Sequence, residues 1–206
     1  LDIERGADGA EYVRGEVLVG FGAGATGEDL NALLEQLDGT LVEVVNPPGL
    51  YRIRLGDAIS MADAQSMLAR NKTVASAEPN YVYKRVGNVD AGVASGGHSI
   101  NLHATPCQNV VAVFDSGLDP KYAGLSVIKG TYNALDPTQP INDPVGHGTL
   151  MSLIASGALT PDGAPASDEG ASVLAVQVFD ENGYTSSDAL MRAIRSAKAA
   201  GASVIN

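Results

Sequence analysis

Val111-Ala112-Val113-Phe114-Asp115-Ser116-Gly117 is the stretch that decides the fold of this 206-residue chain. Every residue from Val110 to Phe114 is apolar. Such a run predicts a strand covered on both faces, as in a parallel sheet flanked by helices. It ends on a carboxylate, and Gly117 then permits a sharp turn. In open α/β sheets, functional groups gather at the carboxyl ends of the strands. Farther on, Gly146-His147-Gly148-Thr149 opens a helix predicted over 146–157. An Asp that orients a His, with the ring free to take a proton, is two thirds of a nucleophile-activating triad. Alone, each motif is weak, because an Asp after a strand is commonly a turn or cap residue and a His between glycines is commonly structural.

Outward from this stretch, strands and helices alternate. Val127-Ile128 reads as a short strand and Ser172–Phe179 as a second buried one. Ser187–Ala200 reads as a helix with Ala189, Leu190, Ala193, Ile194 and Ala197 inward; Gly201 closes it and Ser203–Asn206 begins another strand. This order predicts an α/β layer with right-handed crossovers. The preceding segment has a different rhythm. Val17–Phe21 is a strand; Thr26 caps a helix carrying Leu30, Leu33, Leu34 and Leu37, and Gly39 ends it. Leu41–Val45 is a strand, Asn46-Pro47-Pro48-Gly49 a turn, and Leu50–Leu55 alternates Tyr51, Ile53 and Leu55 against Arg52 and Arg54. Ser60 starts a helix with Met61, Ala64, Met67 and Leu68 inward, and Val74–Tyr83 is a last strand broken by Pro79. The order β-α-β-β-α-β predicts a ferredoxin-like α+β domain, two helices on an antiparallel sheet. Three regions result: a domain over 1–86, a Gly/Ala/Ser/Asn-rich linker over 87–108 that carries the processing region, and an α/β segment over 109–206.

Composition narrows the function. The chain is 45% hydrophobic and 18% charged, which excludes disorder. With 13 Lys+Arg against 24 Asp+Glu it is acidic, net −11, so neither nucleic acid nor an anionic membrane is an expected partner. The acidity is shared: residues 1–86 hold 8 basic and 13 acidic groups, residues 87–206 hold 5 and 11. No apolar run is long enough for a membrane span. The single Cys107 excludes an internal disulfide and a Cys-rich zinc site. His98, His103 and Cys107 form a loose cluster read as incidental linker residues, so no metal site is assigned. Gly22-Ala23-Gly24-Ala25-Thr26-Gly27 matches the dinucleotide fingerprint G-x-G-x-x-G, with Glu43 near the place of a ribose-binding acid. The reading is rejected, because the Pro47-Pro48-Gly49 turn returns directly into a strand and Glu43 lies mid-strand.

Asp-Ser-Gly after an apolar strand, followed by Gly-His-Gly-Thr, resembles the subtilisin-like serine proteases, or subtilases. Ala171–Gly183 looks like the family's third core strand and its turn, and Ala199–Asn206 like the following helix-to-strand junction. Residues 1–86 resemble the family's inhibitory propeptide, with Ala77-Glu78-Pro79-Asn80-Tyr81-Val82 matching a signature near its end. The resemblance implies a ferredoxin-like propeptide domain followed by the first part of an α/β parallel-sheet subtilisin-like domain. It implies that Asp115 is the triad acid and His147 the general base, in a serine endopeptidase that hydrolyses peptide bonds through an Asp-His-Ser triad. Gly183, Tyr184 and Thr185 would form the edge that pairs with extended substrate. Asn80, Tyr81, Val82 and Tyr83 would run toward Arg85 as the inhibitory tail. The propeptide would act as intramolecular chaperone and inhibitor. The implied partners are polypeptide substrates, the chain's own propeptide and the remainder of the catalytic domain, in a secreted, extracellular or periplasmic setting.

The sequence departs from the family at several points. No Gly-Thr-Ser-Met-Ala-type helix start is present to supply the nucleophile, and Asn206 belongs to an earlier strand than the oxyanion-hole Asn. The expectation is that these residues are the N-terminal portion of a longer precursor and alone cleave nothing. The alternative is a non-catalytic, truncated module that binds proteases through residues 1–86. Leu150 stands where the family has His, and Ser152-Leu153 replaces a small pair. No cofactor is assigned. Asp162, Asp168 and Glu169, and Asp180 with Asn182, are Ca²⁺ candidates, read as solvated loop acids for want of a full ligand set.

Overall fold

The computed structural model describes residues 1–46, 49–85, 99–100, 105–160 and 169–206. The chain divides into two units. The first is Leu1–Tyr83 with Ser186–Asp188, and the second is Lys84–Thr185 with Ala189–Asn206.

The first unit begins with β1 (Ile3–Arg5), paired antiparallel to the amino-terminal end of β2 (Glu11–Phe21). Then follow α1 (Gly27–Gln36), β3 (Thr40–Asn46), β4 (Leu50–Arg54), α2 (Met61–Arg70) and β5 (Val74–Lys84). The strands lie in the order β5-β2-β4-β3, with β1 added on β2. All these pairings are antiparallel. Both helices start where the sequence supplies a cap. Thr26 and Asp29 form a reciprocal capping box, and the Ser60 hydroxyl accepts from the Asp63 amide. The left-handed residue after α1 is Asp38, at φ 45°, rather than Gly39. Leu33 of α1, its C-cap Leu37, and Ala64 and Leu68 of α2 are buried with Val17, Val19 and Ile53 from the sheet.

Pairing of Val44 with Tyr51 and of Asn46 with Leu50 shows that β3 and β4 are a hairpin. That upholds the rejection of a dinucleotide fold. Glu43 faces Arg52, 3.5 Å away, instead of a ribose, and the helix amino terminus that would cradle phosphate is closed by its own capping box. Pro47 and Pro48 themselves lie outside the described residues. Two differences from the sequence reading concern strands with no hydrophobic signal of their own. β1 was not foreseen, and β2 starts at Glu11 rather than Val17.

On the polar face of this sheet sits Glu16, only 2% exposed. Arg54 Nη2 donates to its Oε1 at 2.8 Å, Asn80 Nδ2 donates to its Oε2 at 3.1 Å, and Arg52 Nη1 lies 3.6 Å from Oε2. Asn80 Oδ1 in turn accepts from the Asp188 amide, and Arg52 Nη1 pairs with the Asp188 carboxylate at 2.9 Å. A buried carboxylate survives because cations and an amide replace its water; removing it strands those partners. Glu16→Ala should cost the chain about 3 kcal/mol, read as a lowered urea-unfolding midpoint.

The second unit holds β6 (Ser99–Ile100), β7 (Thr105–Asp115), a 3₁₀ turn at Pro120–Tyr122, β8 (Ile128–Asn133), α3 (His147–Ala155), β9 (Leu159–Thr160), β10 (Glu169–Gln177), β12 (Ala202–Ile205) and, apart from Ser186–Asp188, β11 (Tyr184–Ser186) and α4 (Ser187–Ala199). A four-stranded sheet runs β12-β7-β10-β8, parallel throughout, and β6 pairs with β9. Two of these strands fall within the span read as linker: β7 begins at Thr105, four residues before the expected start, and β6 lies at Ser99–Ile100. The sheet is covered on both sides. Alternate residues Val113, Val173 and Ala175 pack with Leu153 of α3, whereas Val110, Ala112, Leu174 and Val176 pack with Ala193 and Ala197 of α4. The unbroken apolar run of β7 is thus two half-cores in alternation.

Candidate active site

Side-chain alternation places the site. Val111 and Val113 face the α3 layer, so Asp115, two residues on, emerges on the same side at the carboxyl end of β7. His147 is the first residue of α3. Its Nδ1 lies 2.8 Å from both Oδ1 and Oδ2 of Asp115. An ionised carboxylate can only accept, so Nδ1 is the donor in this contact and Nε2 is the ring nitrogen left to exchange a proton with another group. Asp115 is 7% exposed. Its orientation is fixed by its neighbour, since the Ser116 amide donates to Oδ1 at 2.7 Å. This pair can hold and pass a proton at Nε2, with Asp115 stabilising the imidazolium that forms.

Two glycines permit the close approach of the two motifs. Gly117 adopts φ 129°, and a Cβ there would fall 1.8 Å from the Asn142 carbonyl oxygen. A Cβ on Gly148 would fall 2.3 Å from the Gly117 carbonyl oxygen and 3.1 Å from the Asp115 Cβ. The first turn of α3 therefore packs directly on the turn after β7.

One functional residue escaped the sequence reading. Asp143 lies four positions before His147, and four donors converge on it. Thr149 donates through its amide at 2.7 Å and its hydroxyl at 2.6 Å; Ser116 Oγ and the Gly146 amide each donate at 2.8 Å. Burial alone would raise the Asp143 pKa, but hydrogen bonds from Thr149, Ser116 and Gly146 outweigh it and hold the carboxyl below its ordinary value. The Ser116 hydroxyl also accepts from the Gly148 amide at 3.0 Å, and Thr149 Oγ1 accepts from the Asp119 amide at 2.8 Å. Asp143 therefore ties the turn after β7 to the start of α3. The only trace in the sequence was an acid just upstream of the Gly-His-Gly-Thr motif; the donors come from two separate segments, the turn after β7 and the start of α3.

Other expected site residues are placed as follows. Gly183 sits in a turn closed by Asp180, whose Oδ1 accepts from the amides of Asn182 and Tyr184. The Gly183 carbonyl accepts from the Arg85 amide at 2.8 Å, and the Tyr184 ring lies 4.9 Å from Lys84 Nζ. Thr185 is buried, and its hydroxyl has no hydrogen-bond partner among the described residues. Asn80, Tyr81 and Val82 lie in β5; Asn80 and Val82 are buried, and Tyr83 is exposed with its hydroxyl 3.5 Å from Ser187 Oγ. These four belong to the first unit, whereas Lys84 and Arg85 belong to the second. His98, His103, Asp162 and Asp168 lie outside the described residues, as does the Glu169 side chain. Cys107 donates from Sγ to the Asn109 carbonyl at 3.7 Å. At the altered positions after the motif, Leu150 packs on the α3-side core and Ser152 is fully buried, its hydroxyl unpaired among the described residues.

Comparison with known proteins adds the family. The subtilase family model matches residues 108–206. Those residues belong to the subtilase family. Residues 1–80 match the model of the fervidolysin N-terminal prodomain, so the propeptide expected from the sequence takes that form. Among solved structures, this chain is similar to fervidolysin from Fervidobacterium pennivorans, a keratinolytic enzyme related to subtilisin, with a TM-score of 0.60 and 17% identity. The match covers 98% of this chain and 36% of that one, so the present chain spans about a third of that enzyme's length. Comparison with curated proteins returned no match. Among the described residues, no helix is long and apolar enough to cross a membrane.

Asp143→Asn tests the tie between the two motifs. It should cost about 2 kcal/mol at neutral pH, because hydrogen bonds to a charged acceptor are lost and an amide offers fewer acceptor sites. Since the folded-state pKa of Asp143 is lowered, its stabilisation is complete above the ordinary carboxylate range and fades as pH falls through the lowered value. The gap between wild type and variant should therefore narrow on acidification, as measured by denaturant midpoints across the pH series.

Proposed function

We propose that this chain carries the acid–base half of a serine endopeptidase and the prodomain that restrains it. The observation that supports this most directly is the 2.8 Å pairing of His147 Nδ1 with both Asp115 oxygens at the end of a parallel strand. In the proposed reaction, His147 Nε2 takes the proton from a serine hydroxyl as that oxygen attacks a peptide carbonyl, then gives it to the leaving amine. Asp115 stays ionised throughout. The nucleophile is not among these 206 residues in the expected Gly-Thr-Ser-Met-Ala context, so the chain by itself hydrolyses nothing.

The first unit is the proposed intramolecular chaperone and inhibitor. Its strand order, last-first-third-second apart from β1, supports a ferredoxin-like prodomain. Asn80 to Tyr83, near the carboxyl end of its last strand, form the proposed inhibitory tail. A restrained precursor suits export, and the proposed setting is extracellular or periplasmic, with polypeptides as substrates.

In the full-length parent protein, peptide hydrolysis should be blocked by a serine-directed fluorophosphonate and should fall by about 10⁴-fold or more in His147→Ala. Hydrolysis of a peptide ester by the 206-residue chain, lost in His147→Ala, would contradict the assignment of the nucleophile to the rest of the parent.

A further inference from the structure

Ser116 follows the acid of the pair and is 1% exposed. Its amide is committed to Asp115 Oδ1 at 2.7 Å, but its hydroxyl lies between two carboxylates. Oγ is 2.8 Å from Asp143 Oδ1 and 3.3 Å from Asp115 Oδ1. A hydroxyl has one proton to donate and ionised carboxylates can only accept, so the two acids compete for it. The Gly148 amide, donating to Oγ at 3.0 Å, pins the oxygen without settling where its proton goes. Two observations settle that. The distance to Asp143 is an ordinary O–H···O length, whereas the distance to Asp115 exceeds that range. In addition, Asp115 Oδ1 already receives the Ser116 amide and lies 2.8 Å from His147 Nδ1, while Asp143 Oδ1 has one other donor among the described residues, the Gly146 amide. Asp115 also faces a cation, with Arg85 Nη1 3.7 Å from Oδ1. The Ser116 proton therefore rests mainly on Asp143.

We propose that Asp143 is a positioning residue for the reaction, acting through Ser116: it draws the Ser116 proton away from Asp115, so that the Asp115 carboxylate directs its charge to His147 Nδ1. The proposal rests on the reading of Asp115 and His147 as the acid–base pair and adds the residues that tune it. This role differs from tying the turn after β7 to the start of α3. A tie needs only acceptors in the right place, whereas division of the proton needs an acceptor that outcompetes Asp115. An amide at position 143 has one oxygen where the carboxylate has two, so it cannot accept from Thr149 and from the Ser116–Gly146 side at once. With that competitor weakened, the Ser116 hydroxyl turns to Asp115 Oδ1. A carboxylate that accepts an added hydrogen bond is stabilised as an anion and holds the imidazolium less strongly.

The test reads the Asp115–His147 hydrogen bond by NMR in the 206-residue chain, at a pH where the ring is neutral. The low-field Nδ1 proton of His147, assigned by its loss in a His147→Gln variant, should move upfield in Asp143→Asn. The same exchange on a Ser116→Ala background should produce less than about half of that movement, because the hydroxyl that transmits it is gone. No movement, or equal movement on both backgrounds, overturns the proposal and leaves the pair standing. Absence of the low-field proton from the unaltered chain overturns the pair itself. In the full-length parent protein, Asp143→Asn should lower kcat about tenfold with KM unchanged and displace the acid limb of the pH profile. A fall in kcat with an unmoved pH profile marks a merely structural role and overturns the proposal. Neutron diffraction from the unaltered chain is independent of any variant's folding: the Ser116 hydroxyl deuteron should lie on the line to Asp143 Oδ1, and a deuteron directed at Asp115 Oδ1 overturns the proposal.

Discussion

The carboxylate of Asp143 is the constraint on which the site depends. Half-buried charge is unfavourable unless donors replace water. Here the donors are the Ser116 hydroxyl from the turn after β7 and the Gly146 amide, Thr149 amide and Thr149 hydroxyl around the start of α3. Satisfying Asp143 therefore requires those two segments to converge. Once they do, Gly148 rests on Gly117, and Asp115 and His147 are brought to hydrogen-bond distance as a consequence. The Asp115–His147 pair does not have to hold itself together. Its 2.8 Å geometry is imposed by an acid that takes no part in the proposed chemistry.

Glu16 repeats the logic in the first unit. A nearly inaccessible carboxylate gathers Arg54, Arg52 and Asn80 from strands distant in sequence. Apolar burial on the other face of that sheet would accept many registers at similar free energy. A buried charge accepts only those that bring its cations within reach. In both units a hydrophobic layer drives collapse, and an acid that must be satisfied selects one arrangement.

What the sequence disclosed, and what it hid, follows from how local each signal is. The apolar run through Val113, the Thr26 and Ser60 caps, and the choice of a hairpin over a crossover near Pro47 all depend on residues within a few positions of one another. Each could be read, and the parallel sheet, the antiparallel sheet and the Asp115–His147 pair followed. β6 and β9 are two residues long and pair with each other across a long stretch of sequence, which composition does not encode. β7 starts at Thr105 because Thr105 and Pro106 lie beside Glu169 and Gly170 of β10; a proline there reads as a break from sequence alone. Asp143 was visible as a residue but not as a role, because its four hydrogen bonds come from three positions up to 27 residues away. Arg85 was seen as the end of a tail, and only the fold places its guanidinium beside Asp115.

That placement raises a physical question: whether a cation so near Asp115 would pull the carboxylate off the imidazole. The hydrogen bonds answer it. Asp115 Oδ1 accepts from the Ser116 amide at 2.7 Å and from the Ser116 hydroxyl at 3.3 Å, while His147 Nδ1 spans both oxygens. The carboxylate plane is held by the backbone of the next residue, and Ser116 is held in turn by Asp143. To swing toward Arg85, Asp115 would have to give up the amide bond and strand a buried donor, a cost of about 1–3 kcal/mol. The guanidinium instead stays at 3.7 Å, beyond hydrogen-bond distance but well within reach of the charge. A guanidinium can thus lie near the Asp115 carboxylate without dislodging it from the imidazole, and the same Asp143–Ser116 tie that helps build the pair also steadies it against that charge.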